Sequence, residues 1–240
     1  MANKITRHIP NSITCCNLIS GCIATITAVY GDLWLALLFI IVGAVFDFFD
    51  GMSARLLHVS SPIGKELDSL ADVITFGLAP SAMLFHQLSV LDYPFGSVYR
   101  WQITGLLPFV AFLMTAFSAL RLAKFNLDER QTTSFIGLPT PANAMFWGSL
   151  LLGVDSQMES VNWAPLALIA LMLLSCWLLV SELPMFALKF KHWGWKGNEI
   201  KYIFVLSCIP LLVIFKVLAF AFIIAWYVVL SVYVNATKKQ

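Results

Sequence analysis

The chain has 240 residues, of which 60% are hydrophobic and 12% are charged, and its net charge is +2. Soluble domains are typically about 25% charged, so this composition excludes a chain made mainly of soluble domains. The nearly balanced charge and the lack of a basic arm exclude a nucleic-acid-binding protein. We therefore expect an all-α, polytopic integral membrane bundle that forms a single membrane domain over residues 1–240.

Apolar stretches recur along the chain, and a transmembrane helix needs roughly 20 apolar residues. They predict eight helices, with six spans and two amphipathic segments as the alternative. In chain order the predicted helices cover residues 12–30, 33–57, 64–88, 104–125, 140–154, 163–181, 199–214 and 217–235. No clear small-residue cleavage site follows the first apolar stretch, so we interpret it as a retained span rather than a signal peptide.

The basic residues fall mainly on one side of this map. Of the 15 lysines and arginines, 13 precede the first span, lie in the links after spans 2, 4 and 6, or end the chain. Arg100 and Lys216 fall on the other side. Positive residues accumulate in cytoplasmic loops. We therefore expect a multi-pass protein of the cell (inner) membrane with both termini in the cytoplasm.

Spans 2 and 3 are predicted to form a hairpin over residues 33–88 in which two acidic faces meet. Ser60 or Ser61 can cap span 3, and Pro62 suits its first turn. Helical spacing puts a first group on one face of span 2, namely Asp47, Asp50, Gly51, Ala54 and Arg55. On span 3 a second group recurs every four residues, namely Gly64, Asp68 and Asp72. At about 1.5 Å per residue, Asp47 and Asp72 lie about 15 and 12 Å below the cytoplasmic ends of their helices.

Four carboxylates at one depth are costly in a membrane. A lone carboxylate at a helix centre costs about 2.5–3.5 kcal/mol on insertion scales, and four would also repel one another. Divalent cations that prefer oxygen ligands, such as Mg²⁺, Mn²⁺ or Ca²⁺, would offset these charges. Gly51 and Ala54 leave room for a ligand beside the carboxylates, and Arg55 offers donors suited to phosphate. A buried ion-pair network and a cation or proton transporter are the alternatives.

A family signature fills the same stretch. The pattern is Asp47-x-x-Asp50-Gly51-x-x-Ala54-Arg55, then eight residues, then Gly64-x-x-x-Asp68-x-x-x-Asp72. It resembles the signature of the CDP-alcohol phosphotransferases, with every position filled. These enzymes make phospholipids from a CDP-linked lipid and an alcohol, using divalent metals between membrane helices. The resemblance implies that residues 33–88 form the catalytic hairpin of a six-helix core to which two helices are added.

The resemblance also implies roles for individual residues. Two divalent cations, Mg²⁺ or Mn²⁺ with Ca²⁺ as an alternative, would be held by Asp47, Asp50, Asp68 and Asp72. Asp72 would in addition be the general base. The segment "IPNSITCCN", residues 9–17, resembles the Pro-Asn-x-x-Thr stretch that lies near the nucleotide in this family. The implied CDP-lipid-binding residues are Asn11, Thr14, Gly51, Ala54, Arg55 and Gly64. A helix N-cap formed by Asn11 is the alternative interpretation of the first of them.

Further segments resemble the phosphatidylserine synthase branch of the family. They are "FGLAPS" at residues 76–81, "RLAKFN" at residues 121–126 and "FIGLPTPANA" at residues 135–144. The branch implies CDP-diacylglycerol and L-serine as substrates, release of CMP, and a homodimer embedded in membrane lipid. Glycerol phosphate or inositol phosphate as the acceptor, and an ion-coupled transporter, are the alternative functions.

An amino-acid acceptor needs its own binding groups, which we expect in the acceptor-side segments, residues 104–155. The candidates for serine binding are Arg121, Lys124, Asn126, Thr140 and Asn143. The two cations could equally be snorkelling residues that set topology. Residues 163–235 are predicted to form additional C-terminal spans.

Overall fold

A computed structural model describes residues 8–59, 61–94, 103–128, 135–158, 161–185, 194–195 and 198–238. The helices are α1 (Ile9–Val29), α2 (Leu33–Leu56), α3 (Pro62–Val90), α4 (Leu107–Leu127), α5 (Thr140–Met158), α6 (Ala164–Val180), α7 (Glu199–Phe215) and α8 (Ala219–Lys238). Short helical segments precede α4 and α8, namely Ile103–Leu106 and Lys216–Leu218. Some residues behind the capping and orientation predictions lie outside the described ranges, namely Lys4, Arg7, Ser60, Arg100, Arg130, Lys189, Lys191, Lys196 and Lys239.

Helices occupy all eight predicted stretches, which confirms a mainly helical membrane protein, but the number of eight spans is not confirmed. By length and composition, five regions within the described residues could cross a membrane, namely α1, α2, α3, α4 and a continuous apolar region from Glu199 to Thr237 that contains α7 and α8. Helix α6 is apolar but has 17 residues, fewer than the roughly 20 that a full span needs.

The turn between α2 and α3 forms as the sequence predicts. Ser61 caps α3, and its Oγ accepts a hydrogen bond of 2.9 Å from the Gly64 N–H. Pro62 occupies the first turn, where its missing N–H leaves no intrahelical bond unmade. The cap therefore sets where the second acidic face begins.

Helix α1 packs against both members of the hairpin, and small residues let the backbones approach. A Cβ at Gly21 would lie 2.3 Å from Oγ1 of Thr75, and a Cβ at Gly43 would lie 2.5 Å from its Cγ2. Thr75 belongs to a π-helical segment, Val73–Leu78, inside α3. This wider turn ends just before Pro80, which cannot donate to the helical ladder. The segment follows Asp72 directly, so α1 and α2 hold the backbone beside that carboxylate.

Two loops pair as a short antiparallel ladder, which the all-α prediction did not include. Strand β1 (Phe135–Ile136) pairs with β2 (Pro184–Met185). The next residue, Gly137, has a φ of +73°. A Cβ there would lie 2.8 Å from the Leu179 carbonyl oxygen. Glycine therefore lets the loop after β1 close against the last carbonyls of α6.

The last two helices pack against each other, and α8 returns to the loop that follows α6. Lys216 has a φ of +49° where the chain reverses between them. At the far end of α8, the Asn235 amide donates a hydrogen bond of 2.5 Å to the Pro184 carbonyl. The end of α8 thus lies beside β2.

Candidate active site

Three carboxylates converge between α2 and α3. Asp47 and Asp50 come from α2 and Asp68 from α3, and one oxygen of each lies within 4.8 Å of the others. Oδ1 of Asp68 is buried and has no hydrogen-bond partner among the described residues. Carboxylates this close repel one another, so the arrangement favours a positive charge between them.

These three residues fit a hard divalent cation. Mg²⁺, Mn²⁺ and Ca²⁺ are bound by carboxylate oxygens, at about 2.0–2.6 Å for Mg²⁺ and Ca²⁺. Two oxygens on one ion are therefore no more than about 5 Å apart for Ca²⁺ and about 4 Å apart for Mg²⁺. The three carboxylates, within 4.8 Å of one another, meet the limit for Ca²⁺ and would draw closer together around Mg²⁺. The unpartnered oxygen of Asp68 is the donor that such an ion would satisfy.

The fourth predicted carboxylate, Asp72, lies one turn along α3 from Asp68. Its Oδ1 accepts a hydrogen bond of 3.1 Å from the Asn17 amide of α1. The side chain is 8% exposed and interacts electrostatically with the other three carboxylates. The structure therefore brings together all four predicted carboxylates, with Asp72 at the edge of the group and oriented by Asn17.

Helix α1 also orients a member of the first three. The Thr14 hydroxyl donates a hydrogen bond of 2.6 Å to Oδ2 of Asp50, and both side chains are buried. Thr14 and Asn17 lie three residues apart, so they share one face of α1. That face supplies one hydrogen-bond donor to each of two carboxylates.

A cavity of about 220 Å³ opens beside the carboxylates. Its lining includes five of the six predicted CDP-lipid residues, namely Asn11, Thr14, Gly51, Ala54 and Gly64, together with Asp50, Asp68 and Lys65. Asn11 lies within the first turn of α1, and the N-cap is His8. The alternative interpretation of Asn11 as an N-cap is therefore wrong, because the helix begins three residues earlier than such a cap requires.

The sixth predicted residue, Arg55, lies outside that lining. Its Nε donates a hydrogen bond of 2.9 Å to the Gly51 carbonyl, and its side chain is exposed. Gly64, by contrast, lies tightly against the opposite wall, where a Cβ would be 3.0 Å from Oδ1 of Asn11. The guanidinium of Arg55 therefore stands beside Gly51 at the rim rather than inside the cavity.

A second cavity, of about 400 Å³, lies where α4 and α6 end. Arg121 and Lys124 line it, and so do Asp128 and Glu182. Arg121 is 7% exposed, and its Nε has no hydrogen-bond partner among the described residues. It also interacts electrostatically with Asp72. Arg121 therefore connects the second cavity with the carboxylate group.

The three other predicted serine-binding residues do not line this cavity. The Arg121 Nη1 makes a long contact of 3.5 Å with the Thr140 hydroxyl. Asn126 faces α3, where its amide donates a hydrogen bond of 2.8 Å to the Ser69 hydroxyl. Asn143 is buried and accepts a hydrogen bond of 2.9 Å from Ser175 of α6. Thr140 thus supports Arg121, whereas Asn126 and Asn143 join helices.

Comparison with known proteins decides the family. The sequence profile of the CDP-alcohol phosphatidyltransferases matches residues 7–234, nearly the whole chain. The chain belongs to the CDP-alcohol phosphatidyltransferase family. Membership confirms the resemblance of the acidic signature, and the acidic faces therefore belong to an enzyme rather than to a transporter.

Several relatives of this chain share one name, CDP-diacylglycerol–serine O-phosphatidyltransferase. The protein of Bacillus subtilis (strain 168) is 41% identical over 138 residues, which cover 58% of this chain and 72% of the relative. That of Methanocaldococcus jannaschii is 30% identical over 169 residues, 70% of this chain and 71% of the relative. That of Helicobacter pylori (strain 26695) is 35% identical over 138 residues, and the chain spans only 54% of its length.

Sequence reasoning missed three residues that bond to the carboxylate group or line one of the two cavities. Asn17 could have been found, because it follows Thr14 on the same face of α1. Lys65 follows Gly64 of the signature and lines the first cavity, and its Nζ donates a hydrogen bond of 2.9 Å to the Asn126 carbonyl. Glu182 carries no local signal, since the β1–β2 pairing brings its loop to the end of α4.

Proposed function

We propose that the chain transfers the phosphatidyl group of CDP-diacylglycerol to L-serine and releases CMP. The observation that carries this proposal is the carboxylate group beside the first cavity, together with the cations that line the second. One cavity has small residues at a helix backbone, and the other has a buried arginine. The first suits a diphosphate and the second a small acid. The shared name of the relatives supports serine as that acid.

Asp47, Asp50 and Asp68 would hold the divalent cations, two per site, Mg²⁺ or Mn²⁺, with Asp72 as a fourth carboxylate. When bound, such ions neutralise the diphosphate and act as Lewis acids on the transferred phosphoryl group. The Thr14 hydroxyl keeps one lone pair of Asp50 occupied and so fixes the direction of the other oxygen. Gly51, Ala54 and Gly64 leave the helix backbones accessible to the nucleotide.

Asp72 is proposed as the general base. It is partly shielded, its Oδ1 is occupied by the Asn17 amide, and its second oxygen is left for the acceptor hydroxyl. Asp72 would take the proton of the serine hydroxyl as its oxygen attacks the phosphorus that bears the diacylglycerol. The bond from that phosphorus to the bridging oxygen breaks, and CMP leaves. Positioning and proton transfer are thus the tasks of this residue.

Arg121 and Lys124 are proposed to bind the serine carboxylate. Both line the second cavity, and an arginine fork suits a carboxylate. The contact from Thr140 restrains Arg121. In this scheme Asn126 and Asn143 act through helix packing and not through contact with serine.

The cellular setting is part of the same proposal. We place the enzyme in the cell (inner) membrane as a homodimer with its termini and site at the cytoplasmic face. The family resemblance supports the dimer, and the distribution of basic residues supports the orientation. The donor is a hydrophobic lipid and the acceptor is a polar amino acid. A site near the membrane surface is required because both must reach it.

An acceptor screen with purified enzyme in detergent micelles tests the function. CDP-diacylglycerol and Mg²⁺ or Mn²⁺ are supplied, and CMP release is measured on adding L-serine, glycerol 3-phosphate or inositol phosphate. CMP release that depends on serine, with phosphatidylserine as the lipid product, is the expected result. Release with a phosphorylated acceptor but not with serine would overturn the serine assignment and leave the family reaction intact.

A further inference from the structure

We infer that Glu182 binds the ammonium group of the acceptor, so that the second cavity selects an α-amino acid over other small acids. The inference rests on the proposed function, because it assigns a further residue to the serine site. Glu182 stands in the loop between α6 and β2 and lines the same cavity as Arg121 and Lys124. The loop therefore adds a negative wall to a cavity that the cations of α4 line from the other side.

The charges of the cavity match those of a zwitterion. An α-amino acid carries a carboxylate and an ammonium on the same carbon, and serine carries its hydroxyl one carbon away. With the carboxylate at Arg121 and Lys124, the ammonium needs an oxygen acceptor a few ångströms across the cavity. A volume of about 400 Å³ holds such a molecule together with water. Glu182 supplies an acceptor of the correct sign.

Arg121 gives an independent sign that this cavity is a ligand site. The side chain is 93% buried, and its Nε donor lacks a hydrogen-bond partner among the described residues. Leaving a buried charged donor unsatisfied is costly, and a bound carboxylate would remove that cost. The same guanidinium interacts electrostatically with Asp72. A carboxylate bound at Arg121 would therefore contact the same guanidinium that interacts with Asp72.

Glu182 is better suited to the ammonium than Asp128, the other carboxylate of the cavity. Asp128 already makes an interaction within the chain. Glu182 is exposed at the mouth of the cavity, where a soluble amino acid would arrive. The backbone next to Glu182 is held in place, because the Gly137 N–H donates a hydrogen bond of 2.9 Å to the carbonyl of the following residue, Leu183. The β1–β2 pair follows directly, so the carboxylate is presented from an ordered loop.

This arrangement explains how one fold can reject the acceptors that other family members would take. Glycerol phosphate and inositol phosphate carry a doubly charged phosphate and no cation. They would bind to the arginine and lysine but would bring like charge towards Glu182. Specificity would thus come from a repulsive group as well as from an attractive one.

The test compares serine with 3-hydroxypropionate, which is serine without its amino group. Glu182→Gln should raise the serine KM roughly tenfold, because it removes a charge-assisted hydrogen bond to the ammonium. Two other quantities should stay within about twofold of their values in the unaltered enzyme, which is within the uncertainty of hydrogen-bond energies. They are the inhibition constant of 3-hydroxypropionate in competition with serine and the KM for CDP-diacylglycerol. Glu182→Asp keeps the charge and should give an intermediate serine KM. Glu66→Gln, an exposed carboxylate on α3 outside both cavity linings, is the matched control.

Two results would overturn the inference. One is an unchanged serine KM in Glu182→Gln, and the other is an equal loss of affinity for serine and for 3-hydroxypropionate. Failure of the proposed function looks different, because then the unaltered enzyme itself releases no CMP with serine. If the unaltered enzyme releases CMP with serine and Glu182→Gln has the same serine KM, only the assignment of Glu182 to the ammonium group is wrong.

Discussion

Gly43 and Gly51 both belong to α2, yet their surroundings differ. A Cβ at Gly43 would lie 2.5 Å from Cγ2 of Thr75 and 3.0 Å from Oδ1 of Asn17. A Cβ at Gly51 would meet its nearest neighbour, the Arg55 Nη2, at 4.0 Å. The first glycine serves packing around the residue that orients Asp72. The second leaves space in the cavity that we assign to the nucleotide.

We predict that Gly43→Ala and Gly51→Ala show their defects in different assays, the first in stability and the second in substrate affinity. Gly43→Ala should overpack the helix contact, cost about 1–3 kcal/mol of stability, and lower the thermal unfolding midpoint together with turnover. Gly51→Ala should keep or slightly raise that midpoint, since alanine favours a helix by up to about 1 kcal/mol over glycine. It should instead raise the KM for CDP-diacylglycerol. Unfolding in detergent and initial rates of CMP release measure both effects, and a stable, fully active Gly43→Ala would contradict the packing argument.

Substitutions of Asp50 and of Asp72 should also have different effects, the first on metal binding and the second on turnover. Asp50→Asn removes a carboxylate from the three-oxygen group and should raise the Mn²⁺ concentration needed for half-maximal activity. Asp72→Asn should still bind CDP-diacylglycerol but lose turnover by about 10²-fold or more, the usual size of a general-base contribution. Calorimetric titration of the nucleotide lipid with Mn²⁺ present checks the binding step. An Asp72→Asn enzyme that binds no nucleotide lipid would make this residue chiefly a metal ligand.

At the scale of helices and strands, the short β1–β2 pair lies at the second cavity, which we assign to the acceptor. Its register depends on the loop glycine at position 137 and on the Asn235 amide of α8, which bonds to the Pro184 carbonyl. The C-terminal helix α8 therefore has a connection to the second cavity through β2. This connection makes α8 a support for the second cavity.

We predict that Asn235→Ala raises the serine KM severalfold and leaves the KM for CDP-diacylglycerol unchanged. The lost hydrogen bond loosens β2 and the loop that presents Glu182, at a cost of about 0.5–1.5 kcal/mol. Thr237→Ala is the control, because its hydroxyl bonds to carbonyls of its own helix. Equal changes in both KM values would mean that α8 supports the whole bundle and not the acceptor loop.

Elements of this chain differ in how far their positions follow from sequence. The apolar runs and the Ser61–Pro62 cap predict α2 and α3, because length, capping and spacing are local properties. The same spacing predicts that the acidic faces meet. The π-helical turn at Val73–Leu78 and the ladder between β1 and β2 depend on packing between distant segments. Such contacts leave no periodic pattern, and the second cavity was therefore predicted only through the cations of α4.

For the whole molecule, the orientation prediction depends on the 13 basic residues assigned to one side. The structure adds that Lys65, at the start of α3, reaches Asn126 at the end of α4. Arg121 and Lys124 meet the end of α6 in the second cavity. The end of α2, the start of α3 and the ends of α4 and α6 are all predicted to be cytoplasmic. They therefore lie together at one end of the bundle.

Cysteine labelling tests this orientation. In a chain whose five native cysteines are replaced, Asp92→Cys and Trp195→Cys should react with a membrane-impermeant maleimide from opposite sides. Labelling of intact and inverted vesicles measures the accessible side. Modification of both positions from the same side would mean that the number of spans between them is wrong by one.

The position of Glu182 has a consequence for how the protein is made. The residues around the carboxylates come from α1, α2 and α3, all of which have been translated once residue 90 has been added. The acceptor wall needs a loop nearly a hundred residues later and its pairing with β1. Biosynthesis therefore produces first the half of the site that we assign to the nucleotide lipid. A nascent chain arrested before residue 182 would carry that half while lacking the wall to which we assign the choice of acceptor.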